Sequence, residues 1–133
     1  MWSAVLGVAC VAALVVGCRA GGDPAAEHAA QIEAGSEVYD TRCATCHEVE
    51  GGLGPRLSAR ALAGYETAAR LVGYLRLTMP YGAAGTLSDD QYWSVVAYLA
   101  ASRELARWEG RLEGREVRLS AVGNAENAEA GVP

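Results

Sequence analysis

Cys43-Ala44-Thr45-Cys46-His47 is the stretch on which the reading of this chain turns. A C-x-x-C-H run reads as a c-type haem attachment site. Two thiols three residues apart share one helical turn, so each can form a thioether to one of the two haem vinyl groups. The adjacent His47 is then held beneath the iron, where an imidazole nitrogen can take one axial position. A pentapeptide can arise by chance, so the second axial ligand is the point to check. Beyond the initiator the chain has a single methionine, Met79, followed at once by Pro80, and its other histidine is His28. The sequence therefore predicts one covalent haem c on Cys43 and Cys46, with His47 and Met79 as the metal ligands.

Length and composition suit such a module. The 133 residues make one domain with attachments, and an apolar fraction of 51% is enough for a packed core. Phenylalanine is absent, so Trp and Tyr must supply the large side chains. A domain this small buries too little surface to be very stable alone. A covalent porphyrin would add a large apolar core element. The net charge of −5 excludes nucleic acid as the expected partner, since phosphate binding wants a basic face. All 11 basic residues are arginine, which carries no functional weight because genomic base composition explains it.

Cysteine placement separates two functions. Cys10 lies in an apolar leader, Cys18 ends that leader, and the other two belong to the haem motif. No pair remains for a structural bridge. Trp2 to Gly17 carries no charge, and Val5 to Val16 is mostly Val, Leu and Ala, which resembles the core of a secretory signal. It is short for a membrane span, which needs about twenty residues. Val15-Val16-Gly17-Cys18 resembles a bacterial lipobox, implying cleavage before Cys18 and acylation of its thiol. No Lys or Arg precedes the apolar core, which is a departure from the usual export signal. An uncleaved anchor helix and an ordinary cleavage site with an incidental cysteine stand as the alternatives. All three put the domain outside the cytoplasm, on the periplasmic side. The expected layout is a signal peptide over 1–17, a lipid-anchored tether and helix start over 18–30, a domain over 31–109, and a partly disordered extension over 110–133.

Local signals place the elements. Asp23 is a helix N-cap with Pro24 at the first position, and the helix runs to about Thr41 or Cys43. Ile32, Gly35, Val38, Tyr39 and Arg42 share one face. Gly35 in mid-helix costs about 1 kcal/mol relative to alanine, which suggests that another backbone passes close by. Gly51, Gly52, Gly54 and Pro55 make residues 48–57 a loop able to approach a flat object. An imidazole ligand donates its other N–H to an acceptor, and the Pro55 carbonyl is the candidate, with Leu57 as a haem contact. A further helix is expected over Tyr65–Leu77, and a loop follows to Leu87. Pro80 biases Met79 towards an extended backbone. Ser88-Asp89-Asp90-Gln91 is a capping box opening a helix with Tyr92, Val95, Val96 and Leu99 as its apolar stripe. That helix is expected to reach about Trp108 and stop at Gly110, with Arg103 and Arg107 suiting its dipole. Beyond it, Val117, Leu119 and Ala121 alternate like a short extended segment, and Gly123–Pro133 has a disordered composition.

This order of features resembles a class I cytochrome c over about Gln31 to Arg103. The resemblance implies an all-α cytochrome c fold, three to four helices packed around one covalent haem. It also implies that the first and last helices cross closely through Gly35 and Tyr39, with Val95 and Tyr98 as counterparts on the last helix. Met79-Pro80-Tyr81-Gly82, then Leu87-Ser88-Asp89 and Tyr92-Trp93, is similar to small bacterial cytochromes that partner dehydrogenases or are fused to them. The Met loop is short for the family, and the arginine-rich stretch after the last helix has no counterpart in it.

Iron held by one imidazole and one thioether has no open position for oxygen or peroxide. The implied role is a single-electron carrier, not an enzyme, passing electrons between a membrane or periplasmic dehydrogenase and a downstream acceptor. A subunit of a dehydrogenase or oxidase complex would serve equally. Arg56 and Arg60 are either propionate partners or solvated charge, and Trp93 and Tyr81 either line the haem or fill core. Three competing readings stay open. A dithiol oxidoreductase would need a βαβ setting. A zinc site would need Cys43, Cys46, His47 and His28 to converge from an unfamiliar spacing. A five-coordinate iron, with Met79 merely structural, would give a ligand sensor or a peroxidase-type protein.

Overall fold

Asp23 starts the first helix as its sequence suggests. Its side chain accepts from the Ala25 N–H and Pro24 occupies the first helical position. In this computed structural model residues 22–120 are described, and the leader, Cys10, Cys18 and the tail from Ala121 lie outside the described residues. Five helices follow in order: α1 Pro24–Arg42, α2 Ala44–His47, α3 Ala59–Ala63, α4 Ala68–Thr78 and α5 Asp89–Ser102. Among the described residues the β structure is limited to one isolated bridge, between Thr67 and Arg118. The architecture is thus all-α. Among the described residues three longer helices are joined by α2 and α3, short pieces of 4 and 5 residues.

Two boundaries move, each for a local reason. The helix expected from Tyr65 begins at Ala68, because Glu66 takes φ +67 and the Thr67 side chain caps Arg70 N–H. The last helix keeps its capping box of Ser88 and Gln91 but ends at Ser102, not near Trp108. Glu104 takes φ +52, and the Leu105 N–H turns back to the Ala100 carbonyl at 2.8 Å, closing the helix with a left-handed residue. Arg103 is therefore the C-cap and Arg107 lies past the helix. Neither lies within the last turn of the helix, where the sequence suggested both.

The dominant packing is α1 against α5. A Cβ built on Gly35 would stand 1.9 Å from the Ser94 carbonyl oxygen and 2.9 Å from Tyr98 Cβ. The mid-helix glycine thus lets two backbones touch, and the Tyr39 and Tyr98 rings pack beside the crossing with centroids 5.2 Å apart. Val95, also expected at this crossing, is buried in the core and lines a cavity. The residue beneath Gly35 is Ser94.

Residues 110–120, expected as the start of an extension outside the domain, fold back onto it. Leu112 and Leu119 are buried. The buried Gln31 holds this segment, its Oε1 accepting the Leu112 N–H at 2.8 Å and its Nε2 donating to Glu113 at 2.9 Å. Backbone bonds from Leu119 N–H to the Glu66 carbonyl and from Ala68 N–H to the Val117 carbonyl fasten the rest. Burial works against ionisation of Glu113, yet its hydrogen bonds, led by that from Arg111, hold the carboxyl below its ordinary 4.5. A folded-state value below the unfolded one means the stabilisation is present above that unfolded value and is lost as pH falls through the folded one. Hydrogen exchange at the Leu112 amide is therefore expected to speed up, relative to α5 amides, as pH drops below about 4.5. Parallel behaviour of the two sets would refute the latch.

Candidate functional site

Helix α1 ends where the haem motif begins. Cys43 is at once the C-cap of α1, with its N–H on the Tyr39 carbonyl at 2.8 Å, and the residue before α2. The single turn of α2 then carries Cys46 and His47, whose N–H groups both reach the Cys43 carbonyl at 3.1 Å. Both thiols are free and half-buried. Burial pushes the Cys43 thiol up to about 11, with Cys46 acting in the same direction.

The His47 ring is 8% exposed, and its Nδ1 lies 2.6 Å from the Pro55 carbonyl. Gly54 makes that approach feasible: a Cβ there would sit 2.7 Å from His47 Cε1. On the other side, Met79 caps α4 in an extended conformation, φ −127 and ψ 150, as the following proline favours. The buried Tyr92 fastens this segment. Its hydroxyl donates to the Met79 carbonyl at 3.0 Å and accepts the Gly85 N–H at 3.0 Å.

Between these parts lies a cavity of about 360 Å³, within the size range of small-molecule pockets. Cys43, Cys46, His47, Pro55, Leu57 and Met79 all line it, so it gathers every sequence-predicted site residue of the described chain. Leu75, Leu87, Val95 and Leu99 make much of the remaining wall apolar. The residues fit a haem: two thiols on one turn, an imidazole oriented by a carbonyl, a thioether from a separate segment, and apolar walls. Leu53 and Tyr81 stand at the cavity while 91% and 85% exposed, so Tyr81 is not core. Trp93 packs against the core away from the cavity lining.

The remaining candidates go elsewhere. His28 stacks on Trp108 with ring centroids 4.5 Å apart, so a four-ligand zinc set with the motif does not assemble. Among the described residues no group of three or more His, Cys, Asp and Glu side chains is arranged for a metal ion. Arg56 reaches Glu48 at 3.6 Å, and neither it nor Arg60 lines the cavity, whereas Arg42 does.

A polar knot beside the motif was not legible in the sequence. Glu48 Oε1 accepts from the Tyr39 hydroxyl at 2.7 Å and from Arg103 Nη2 at 2.7 Å. The Tyr39 hydrogen bond, reinforced by the Arg103 and Arg56 charges, holds the Glu48 carboxyl below its ordinary range. Burial pushes the Tyr39 phenol up, and its bond to Glu48 adds to that. The one available signal was Tyr39 standing four residues before Cys43, on the same helical face.

Comparison with known proteins agrees with this geometry. A family model described as cytochrome c oxidase, cbb3-type, subunit III matches residues 30–99. Thiosulfate dehydrogenase of Allochromatium vinosum is 30% identical over 79 residues, which covers 49% of this chain and 29% of that protein. The chain thus spans under a third of this curated relative. No solved structure matches.

Proposed function

Because this chain belongs to the c-type cytochrome family described as cytochrome c oxidase, cbb3-type, subunit III, we propose that it is a one-electron relay. Cys43 and Cys46 would hold one covalent haem c, and His47 and Met79 would ligate its iron. The observation that supports this is the convergence on one cavity of the C-x-x-C-H turn and the Met79 segment. The bound group supplies an iron that accepts and returns one electron with little change in its ligands.

The chain's own residues do the positioning. The Pro55 carbonyl accepts the Nδ1 proton of His47, which fixes the tautomer and leaves the other ring nitrogen for the metal. Leu57, Leu75, Leu87 and Leu99 keep water from the cavity. The Tyr92 hydroxyl holds the Met79 backbone in place. Because the chain would itself supply both His47 and Met79 to the iron, the protein moves electrons and does not turn over a substrate. The partners are redox proteins, a dehydrogenase or an oxidase. The dehydrogenase relative supports that class of partner, while its short overlap leaves its substrate out of the proposal. The lipobox-like Val15-Val16-Gly17-Cys18 supports an extracytoplasmic protein anchored to the membrane through lipid on Cys18.

Expression with the c-type maturation machinery, extraction from membranes and mass spectrometry test the proposal together. The peptide spanning Cys43 to His47 is expected to carry one haem on two thioethers, and Cys18 to carry acyl chains. The reduced protein is expected to show a sharp low-spin c-type spectrum. A colourless product would overturn the haem reading, and a soluble product beginning at another residue would overturn the anchor.

A further inference from the structure

Residues 48–57 leave the His47 imidazole and come back to it. Glu48 follows it in the chain, and Pro55 supplies the carbonyl beside its Nδ1. Gly51, Gly52 and Gly54 make this loop costly to order, since glycine loses the most backbone freedom. Its own backbone bonds are few: Glu48 N–H to the Ala44 carbonyl, Gly52 N–H to the Val49 carbonyl, Gly54 N–H to the Cys46 carbonyl and Ser58 N–H to the Arg56 carbonyl. The Gly54 bond holds the loop against the motif, but none of these bonds joins Glu48 to Leu57.

One side chain from a distant element spans those ends. Arg103, the C-cap of α5, donates through Nη2 to Glu48 Oε1 at 2.7 Å and through Nε to the Leu57 carbonyl at 3.0 Å. A guanidinium presents its donors in a rigid planar fork, so both ends are held at a set distance from each other and from α5. The Tyr39 hydroxyl binds the same Glu48 oxygen, which ties the near end to α1 as well. The Arg103 and Glu48 side chains are half-buried, 28% and 35% exposed.

We propose that Arg103 is a positioning residue for the His47 imidazole, clamping both ends of the 48–57 loop so that the Pro55 carbonyl stays on Nδ1. The proposal rests on the haem reading above. A firm bond at Nδ1 makes the other ring nitrogen a stronger donor, which favours the oxidised metal. A slack loop weakens that bond, so the reduction potential rises.

Lysine discriminates this clamp from a plain charge effect. Arg103→Lys keeps the positive charge, but one ammonium on a flexible stem cannot reproduce both arms of the fork. In the haem-loaded protein this substitution is expected to speed amide exchange at Gly54 about tenfold, while amides of α1 and α5 keep their rates. The ring N–H resonance of His47 in the reduced protein is expected to shift, and the potential to move positive. Arg103→Leu, which also removes the charge, is expected to loosen the loop at least as much. Wild-type exchange and potential in a well-folded Arg103→Lys protein would overturn the clamp. So would uniform acceleration across α1 and α5, which would mark Arg103 as a general stabiliser. Absence of haem from the wild type would instead sink the underlying functional reading, so the two failures are distinguishable.

Discussion

Gly35→Ala is expected to cost the domain about 3 kcal/mol, lowering its Tm by about 12 °C or more. Helix propensity alone argues the other way, since alanine outranks glycine by about 1 kcal/mol in a helix interior. The contact reverses that sign. The added methyl carbon would stand 1.9 Å from the Ser94 carbonyl oxygen, a backbone atom that cannot swing aside as a flexible side chain does. The two helices must separate, which loosens the Tyr39–Tyr98 contact at the same crossing. Gly73, inside α4, is the control, because nothing lies within 4 Å of a Cβ placed there. Gly73→Ala is expected to stabilise by about 0.5–1 kcal/mol. Thermal unfolding of the two variants checks the pair, and a Gly35→Ala protein as stable as the wild type would show that the crossing is not tight.

Met79→Ala has the larger functional consequence. Axial ligands set haem potentials over a span of about 0.8 V, and a thioether sits at the high end because it favours the ferrous state. Its removal is expected to lower the potential by a few tenths of a volt and to abolish the weak red-region sulfur-to-iron band of the ferric protein. The reduced variant is also expected to bind carbon monoxide rapidly, where the wild type binds it poorly. Tyr92 holds the segment through the Met79 carbonyl, not its side chain, so the loop should survive the substitution. A spectrum identical to that of the wild type would reject Met79 as a ligand and leave the sensor or peroxidase reading in its place.

Legibility in the sequence followed how local each signal is. Ser88 with Gln91, Asp23 with Pro24, and the glycine in mid-helix act within a turn or two, and the structure shows each as read. The cavity residues were legible because C-x-x-C-H and a lone Met-Pro are rare chemistry. The misread parts depend on partners far away in the chain. Helix α5 stops at Ser102 because the chain must turn so that Leu105 and Leu112 can enter the core, and no stop residue marks that point. Residues 110–120 look polar and arginine-rich, yet Gln31 and two buried leucines hold them down. Arg103 resembled a dipole-compensating charge, because nothing in its neighbourhood names Glu48 or Leu57 as partners.

The meeting of α1 with α5 imposes a schedule on biosynthesis. Gly35 and Ser94 lie far apart in the chain, so the first helix has nothing to close upon until almost the whole domain is present. Throughout that interval the sulfurs at positions 43 and 46 belong to an open chain, with free access for a porphyrin. After closure Cys43 and Cys46 are both half-sheltered. The last helix, which contributes Val95 and Leu99 to the cavity wall, therefore completes the pocket only at the end of folding.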